Sequence, residues 1–156
     1  MNNIFNSDFE LSMRFLLLLN CFAPLGLSES RLINIDLICT YIGDFIQVEK
    51  NLHGNNNLRY AELYAKKKMV KQAMKLLIIK EFVDLEFKEE GFIYTITHRG
   101  AQFCMTLNDE YVDEYYIAAN IAKKKYGDIS DRALSALINK MAVNNIVGDI
   151  DGQYIY

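Results

Sequence analysis

The sequence contains little of what interrupts helices or cross-links small folds. A single proline, Pro24, and eight glycines in 156 residues favour a helix-rich chain over a β-sandwich or barrel. The three cysteines, Cys21, Cys39 and Cys104, are odd in number, widely spaced and without a CxxC pair. We therefore expect small buried residues in a reducing cytosol, not a disulfide framework or a zinc site.

The sequence also predicts no signal peptide and no membrane-spanning segment. The opening MNNIFNSDFE has no basic region of the kind that begins a signal peptide, and the longest apolar run, Phe15 to Leu19, is far too short to span a bilayer. Because 51% of the residues are hydrophobic, the composition disfavours wholesale disorder and predicts a folded chain. These features predict a cytoplasmic protein of one domain, or of one domain with a helical extension.

Recognisable catalytic chemistry is absent as well. The chain has no GxSxG, HExxH, GxxxxGK[ST] or GxGxxG motif. His53 lies in a Gly/Asn-rich loop and could be a base or a ligand, but no motif places a carboxylate or a cysteine beside it, and His98 is expected on a helix surface. The sequence therefore predicts no enzyme, no cofactor and no metal, with a reaction that uses His53 as a remote alternative.

The first predicted helix spans residues 8–22. Ser7 can cap it, and two carboxylates load its first turn, where the helix dipole favours negative charge. After Arg14 the helix is apolar on almost every side, so either the domain core or a partner covers it. The candidates for partner docking on this helix are Phe9, Leu11 and Phe15.

A second helix is predicted from about Glu29 to Phe45, capped by Ser28 or Ser30. Asp36 falls among its apolar residues and either points outward or takes a paired role. A loop rich in asparagine and glycine follows, and it leads into the longest helical pattern of the chain.

That helix runs from Leu58 to Lys80. Leu63, Val70 and Leu77 recur every seventh residue and predict a buried stripe, whereas lysines recur every fourth residue on a second face. The recurring cations are Lys67, Lys71 and Lys75. They predict contact with nucleic acid or with an acidic protein, the plainer alternative being a solvated helix face.

The segment after this helix has the clearest strand pattern. Apolar residues alternate with polar ones over 83–88 and again over 92–97, with Gly91 at the turn, which predicts a β-hairpin. Thr97 can cap the next helix. Helices, a long helix and a hairpin in this order predict a mainly α fold, a winged helix-turn-helix over residues 1–110.

Residues 111–156 are predicted to form a helical extension with a tail. One helix would end at Gly127 after three lysines, and another would run from Asp131 to about Val143. The remaining residues predict a small hairpin, a strand that adds to a partner's sheet, or a frayed terminus. Tyr154 and Tyr156 in this tail are further docking candidates.

Two features disfavour sequence-specific DNA reading. The predicted hairpin carries four carboxylates against Lys88, and an acidic wing repels the DNA backbone. The lysine face also has few side chains that read base edges, Gln72 and Arg59 being the exceptions. Protein docking is therefore favoured, with non-specific contact to double-stranded DNA next.

Several segments resemble the middle component, type 2, of bacterial ABC-three-component systems, a group that includes the Lamassu-type antiphage and antiplasmid systems. They are DFELSMRFLLLLNCF from Asp8, YIGDF from Tyr41, NLHG from Asn51 and AELYAKKKMVKQAMKLLIIKEFVDLEF from Ala61. The resemblance covers about Phe5 to Tyr126. It implies a winged-helix-like, non-enzymatic subunit encoded beside an SMC-like coiled-coil ABC ATPase and an effector, often a nuclease.

The resemblance also implies roles for particular residues. The family's basic positions map to Lys66, Lys67 and Lys71, so Lys66 joins the candidates for contact with nucleic acid or an acidic partner. The NLHG segment and its neighbour add His53 and Asn55 as docking candidates. The sequence thus predicts a bridge that joins a DNA-sensing ATPase to an effector and helps to hold that effector inactive. The alternative is a free-standing winged-helix DNA-binding regulator.

Overall fold

The computed structural model describes residues 7–45, 52 and 59–153. The chain is mainly helical and has one small three-stranded antiparallel sheet. The elements, in chain order, are α1 (Asp8–Phe22), β1 (Leu27–Ser28), α2 (Glu29–Thr40), α3 (Ile42–Phe45), α4 (Arg59–Ile79), β2 (Val83–Lys88), β3 (Gly91–Ile96), α5 (His98–Thr106), α6 (Glu110–Tyr126) and α7 (Asp131–Gln153).

Side-chain caps fix where the helices begin. The Ser7 hydroxyl accepts a hydrogen bond from the backbone N–H of the third residue of α1, and Ser28 and Thr97 do the same for α2 and α5. Each cap satisfies one of the backbone donors that a helix N-terminus leaves without an intrahelical partner. The predicted starts of these three helices are confirmed, with Ser28 capping α2.

The predicted hairpin is confirmed as strands β2 and β3, and the structure gives its register. Val83 pairs with Ile96 and Lys88 with Gly91, across a turn at residues 89–90. Gly91 has a φ of 105°, a conformation that glycine adopts without steric cost. The two-residue strand β1 pairs with the other side of β3, which gives the order β1-β3-β2 and leaves the outer edge of β2 without a partner strand in the described part of the chain.

Helix α1 lies at the centre of the core. It packs against α2, α4, α5 and α6, and this explains why its sequence is apolar on nearly every side. Leu11 and Phe15 are fully buried, so the prediction that they dock a partner was wrong: the helices of the same chain already cover them. Phe9, in contrast, is 70% exposed.

Helix α7 is longer than its sequence suggests. The backbone stays helical to Gln153, so the predicted end near Val143 was wrong, and so was a hairpin or strand between that residue and Gln153. Residues 154–156 lie outside the described part of the chain. Glycine inside a helix costs only about 1 kcal/mol, so turn residues do not by themselves end one. The first turns are anchored, since Leu134 and Ile138 are buried and Arg31 Nη1 on α2 lies 2.8 Å from Asp131 Oδ1.

Candidate partner-binding surfaces

Helix α4 has two faces with opposite surroundings. Leu63, Val70 and Leu77 are buried as predicted, together with Ala73. Tyr64, which follows Leu63, is 61% exposed and lies on the opposite face. The first face packs on α1 and α2, whereas the second is open to a partner.

Lys66 belongs to the buried face, not to the basic surface. Its side chain has no exposed area, and its Nζ lies 2.9 Å from Asp36 Oδ2 on α2. The prediction that Lys66 contacts nucleic acid or an acidic partner was therefore wrong, because an ion pair inside the protein already uses this ammonium group. The helical period explains the position: Lys66 lies three residues after Leu63 and four before Val70, on the same face.

Asp36 is the centre of a buried charge cluster formed by Arg14, Asp36, Lys66 and Tyr115. Arg14 donates from Nε to Oδ1 at 2.9 Å and from Nη2 to Oδ2 at 3.1 Å, and the Tyr115 hydroxyl donates to Oδ1 at 2.8 Å. The Lys66 contact is an ion pair and not a well-aligned hydrogen bond. Of the two roles open to Asp36, the structure shows the paired one.

The electrostatics of the cluster favour an ionised Asp36. Burial by itself would raise the pKa of this carboxyl group, but the charges of Arg14 and Lys66, together with the hydrogen bonds from Arg14, outweigh burial and hold the pKa well below its usual range. Burial, followed by the neighbouring Asp36 charge, raises the pKa of Tyr115, so this residue stays a neutral donor. The cluster therefore contains two cations and one anion at neutral pH.

This cluster ties four helices together. Arg14 lies on α1, Asp36 on α2, Lys66 on α4 and Tyr115 on α6, so one carboxylate fixes the position of α4 against three neighbours. A buried ion pair costs much desolvation and is weak support for stability, but loss of one partner is strongly unfavourable. We infer that the cluster specifies how α4 sits in the core, and hence which face of α4 is turned outward.

The outward face of α4 is a basic ridge formed by Lys67, Lys71 and Lys75. All three side chains are exposed at intervals of four residues, so they lie in one row along the helix. Lys67 Nζ lies 5.1 Å from the centre of the exposed Tyr64 ring, a cation–π contact that places an aromatic side chain at one end of the row. The ridge can therefore offer several cations and one aromatic face to a single partner.

A groove of about 330 Å³ opens beside this ridge, between α2, α4 and α7. Its lining combines apolar side chains with hydroxyl, amide and charged groups. The lining residues are Glu29, Ser30, Ile33, Asn34, Leu63, Lys67, Val70, Ser135 and Asn139. Asn34 donates to the Ser135 hydroxyl at 3.0 Å, which links two walls of the groove.

The hairpin presents the opposite charge. Its carboxylates outnumber its single cation, Lys88, and all of these side chains are exposed. The acidic residues are Asp84, Glu86, Glu89 and Glu90. Phe87 is 78% exposed and Phe92 is 44% exposed, and their rings meet edge to face with centroids 5.2 Å apart. The alternating pattern of the strands predicted the hairpin, but not that this pair would protrude from the core.

Several predicted site residues lie outside the described part of the chain. They are His53, Asn55, Tyr154 and Tyr156, whose docking roles stay predictions. Among the described residues, no group of three or more His, Cys, Asp or Glu side chains is placed to hold a metal ion. In the same part of the chain, no helix has the length and apolar character needed to cross a bilayer.

Comparison with known proteins gives the family. The sequence model of the ABC-three component (ABC-3C) system Middle Component 2 matches residues 4–147, which is nearly the whole chain. No curated protein and no solved structure matches the chain. A middle component is one of several subunits, so the chain acts with protein partners. The chain therefore belongs to the Middle Component 2 family of ABC-three component systems.

Proposed function

We propose that the chain is a non-catalytic bridging subunit of a cytoplasmic defence complex of the Lamassu type. In this proposal it links an SMC-like coiled-coil ABC ATPase, which senses foreign DNA, to an effector, which is a nuclease held inactive until DNA is sensed. The observation that carries the proposal is the pair of exposed surfaces with opposite charge, the ridge on α4 and the hairpin. Two such surfaces on different elements suit a subunit that contacts two partners.

The architecture of a winged helix-turn-helix is part of this proposal. The order helix, short strand, helices, long helix and hairpin supports it, as does the sheet order β1-β3-β2. In this interpretation α4 is the recognition helix, β2 and β3 form the wing, and the domain covers residues 1–110. Residues 111–156 are then a helical extension, whose first helix packs against α1 and α2.

The ridge is proposed to bind an acidic surface of one protein partner. Lys67, Lys71 and Lys75 supply the cations, and the groove beside Lys67 can take a polar side chain from the same partner. Phe9, exposed near the start of α1, is a further docking candidate. The acidic hairpin disfavours DNA as the first ligand of the ridge, because its carboxylates repel phosphates.

Co-expression of the tagged chain with the other two components of its system tests the proposal. We expect one assembly that contains all three proteins, measured by size-exclusion chromatography with mass determination. The double variant Lys71→Glu/Lys75→Glu should lose one of the two partners. Lys124→Glu/Lys140→Glu makes the same change in net charge at exposed positions on α6 and α7 and should keep both. A chain that purifies alone contradicts the proposal.

The alternative is a free-standing winged-helix DNA-binding regulator, which the exposed lysine row favours. It requires the isolated chain to bind double-stranded DNA with an affinity that falls steeply as salt is raised. Fluorescence anisotropy with a labelled duplex at low salt measures this directly. Binding that Lys71→Glu/Lys75→Glu abolishes, together with no capture of the other components, would favour the regulator. Binding seen only within the assembly would place DNA contact inside the bridging function.

A further inference from the structure

The hairpin has one apolar face that the fold leaves uncovered beyond its base. Residues that pair directly across an antiparallel ladder lie on the same face, so Val83, Leu85 and Phe87 share a face with their partners on β3. Val83 is buried at the base, whereas Leu85 is 43% exposed and Phe87 is 78% exposed. Apolar exposure therefore increases from the core toward the tip of the hairpin.

The aromatic pair at the tip is already ordered for binding. Phe87 and Phe92 are paired across the ladder, and their edge-to-face contact restrains both rings. Large aromatic side chains that enter a pocket supply much of the free energy at protein interfaces, and a pair that is fixed beforehand loses less conformational entropy on binding. Exposed large apolar groups that cluster in this way mark interaction sites in soluble proteins.

The charges around the pair restrict the kind of partner. Glu89 and Glu90 are exposed at the turn beside the pair, whereas Asp84 and Glu86 are exposed on the other face of β2, where Glu86 Oε2 lies 3.4 Å from the single cation, Lys88 Nζ. Phosphate groups of nucleic acid or of an anionic membrane would meet net repulsion here. A protein surface that offers an apolar pocket with lysine or arginine at its rim is complementary in both respects.

A second copy of the chain is disfavoured by the same charges. The outer edge of β2 is unpaired among the described residues, and two such edges could in principle pair antiparallel. That pairing would bring the carboxylates of Asp84 and Glu86 against the same groups of the other copy. Like charges placed opposite each other on neighbouring strands destabilise the pairing.

We propose that the hairpin tip, centred on Phe87 and Phe92, docks into a basic-rimmed apolar pocket on one of the other two components of the ABC-three component system. The proposal rests on the bridging function and names the surface and the chemistry of one of its two contacts. The ridge on α4 then remains for the other component. The two contacts differ in kind, since the hairpin contact combines apolar burial with charge and the ridge contact is chiefly electrostatic.

The test is a binding measurement with the full chain and each purified component in turn, by isothermal titration calorimetry. Phe87→Ser should weaken binding to one component at least about tenfold, the range expected for an aromatic hot spot. Glu89→Lys/Glu90→Lys should weaken the same interaction and reduce its dependence on salt. Met105→Ser, at an 84% exposed position on α5, is the matched control and should bind within about twofold of the parent chain.

The outcomes separate this inference from the bridging function. If the parent chain binds a component and Phe87→Ser binds both components equally well, the hairpin inference is wrong and the bridging function stands. If the parent chain binds neither component, both fail. Self-association of the isolated chain that Phe87→Ser abolishes, seen by analytical ultracentrifugation, would also overturn the inference in favour of a second copy. Circular dichroism of each variant confirms that the fold is retained.

Discussion

Lys66 and Lys67 are neighbours in the sequence and lie in opposite environments. Lys66 has no exposed area and pairs with Asp36 inside the protein, whereas Lys67 is exposed and begins the basic ridge. A rotation of about 100° per residue around the helix axis separates the two positions. A run of lysines is therefore not one surface: the inner cation pairs with a carboxylate inside the protein, and the outer cations are exposed.

The largest expected effect comes from removing the anion of the buried cluster. Asp36→Asn leaves the charges of Arg14 and Lys66 in the core without their counter-ion, and we expect a loss of about 3–5 kcal/mol in the free energy of unfolding. Chemical denaturation followed by circular dichroism measures this loss. A change below about 1 kcal/mol would mean that the two cations find other compensation, and the cluster would not be what fixes α4.

Exchange of the inner cation should lower the free energy of unfolding less than removal of the anion does. Lys66→Met keeps most of the side-chain volume and leaves Asp36 paired with Arg14 and Tyr115, so we expect a cost at least about 2 kcal/mol smaller than that of Asp36→Asn. Lys67→Met is the matched control on the outer face and should stay within about 0.5 kcal/mol of the parent chain. Equal costs for Lys66→Met and Lys67→Met would contradict the difference between the two faces.

The cluster also predicts how stability depends on pH. The pKa of Asp36 is held below its unfolded value, so the carboxylate stabilises the folded chain above about pH 4, and this contribution is lost as the pH falls further. We expect Asp36→Asn to unfold with a shallower pH dependence below about pH 4 than the parent chain. Urea titrations from pH 7 to pH 3 measure the slope. Identical slopes for the two proteins would contradict an ionised Asp36.

The smallest expected effect on stability is at the ridge. Lys71→Glu/Lys75→Glu should change the free energy of unfolding by less than about 1 kcal/mol, because both side chains are exposed. The same variant should nevertheless lose a partner from the assembly. Stability that falls as far as in Asp36→Asn would show that these lysines serve the fold and not a partner.

The sequence predicted those parts of the fold that depend on local signals. Ser7 and Thr97 are capping residues at helix starts, and the alternation around Gly91 is typical of a hairpin, so these elements were predicted correctly. Helix α7 was predicted too short, because turn residues such as Gly148 and Gly152 are tolerated within a helix. Leu11 and Phe15 were assigned to a partner because the sequence does not show how many helices of the same chain cover α1.

The sequence contained a signal for the buried cluster, which the family resemblance overrode when it added Lys66 to the basic contact residues. Arg14, Asp36 and Lys66 each fall among the apolar residues of a predicted helix, where a charged side chain is rare unless it is paired. Three charged residues at such positions on three helices suggest that they pair with one another inside the protein. Which of them meet depends on helix packing, so neither the 2.9 Å contacts of Asp36 nor the hydrogen bond from Tyr115 could be predicted from local pattern.

The most direct test of the bridging function is the composition of the assembly that forms on co-expression of the chain with the other two components of its system. Mass determination after size exclusion should show all three proteins together for the parent chain, and one partner missing for Lys71→Glu/Lys75→Glu. The control Lys124→Glu/Lys140→Glu should retain the full assembly. A parent chain that elutes alone, or a ridge variant that keeps both partners, would contradict a bridge that uses the outer face of α4.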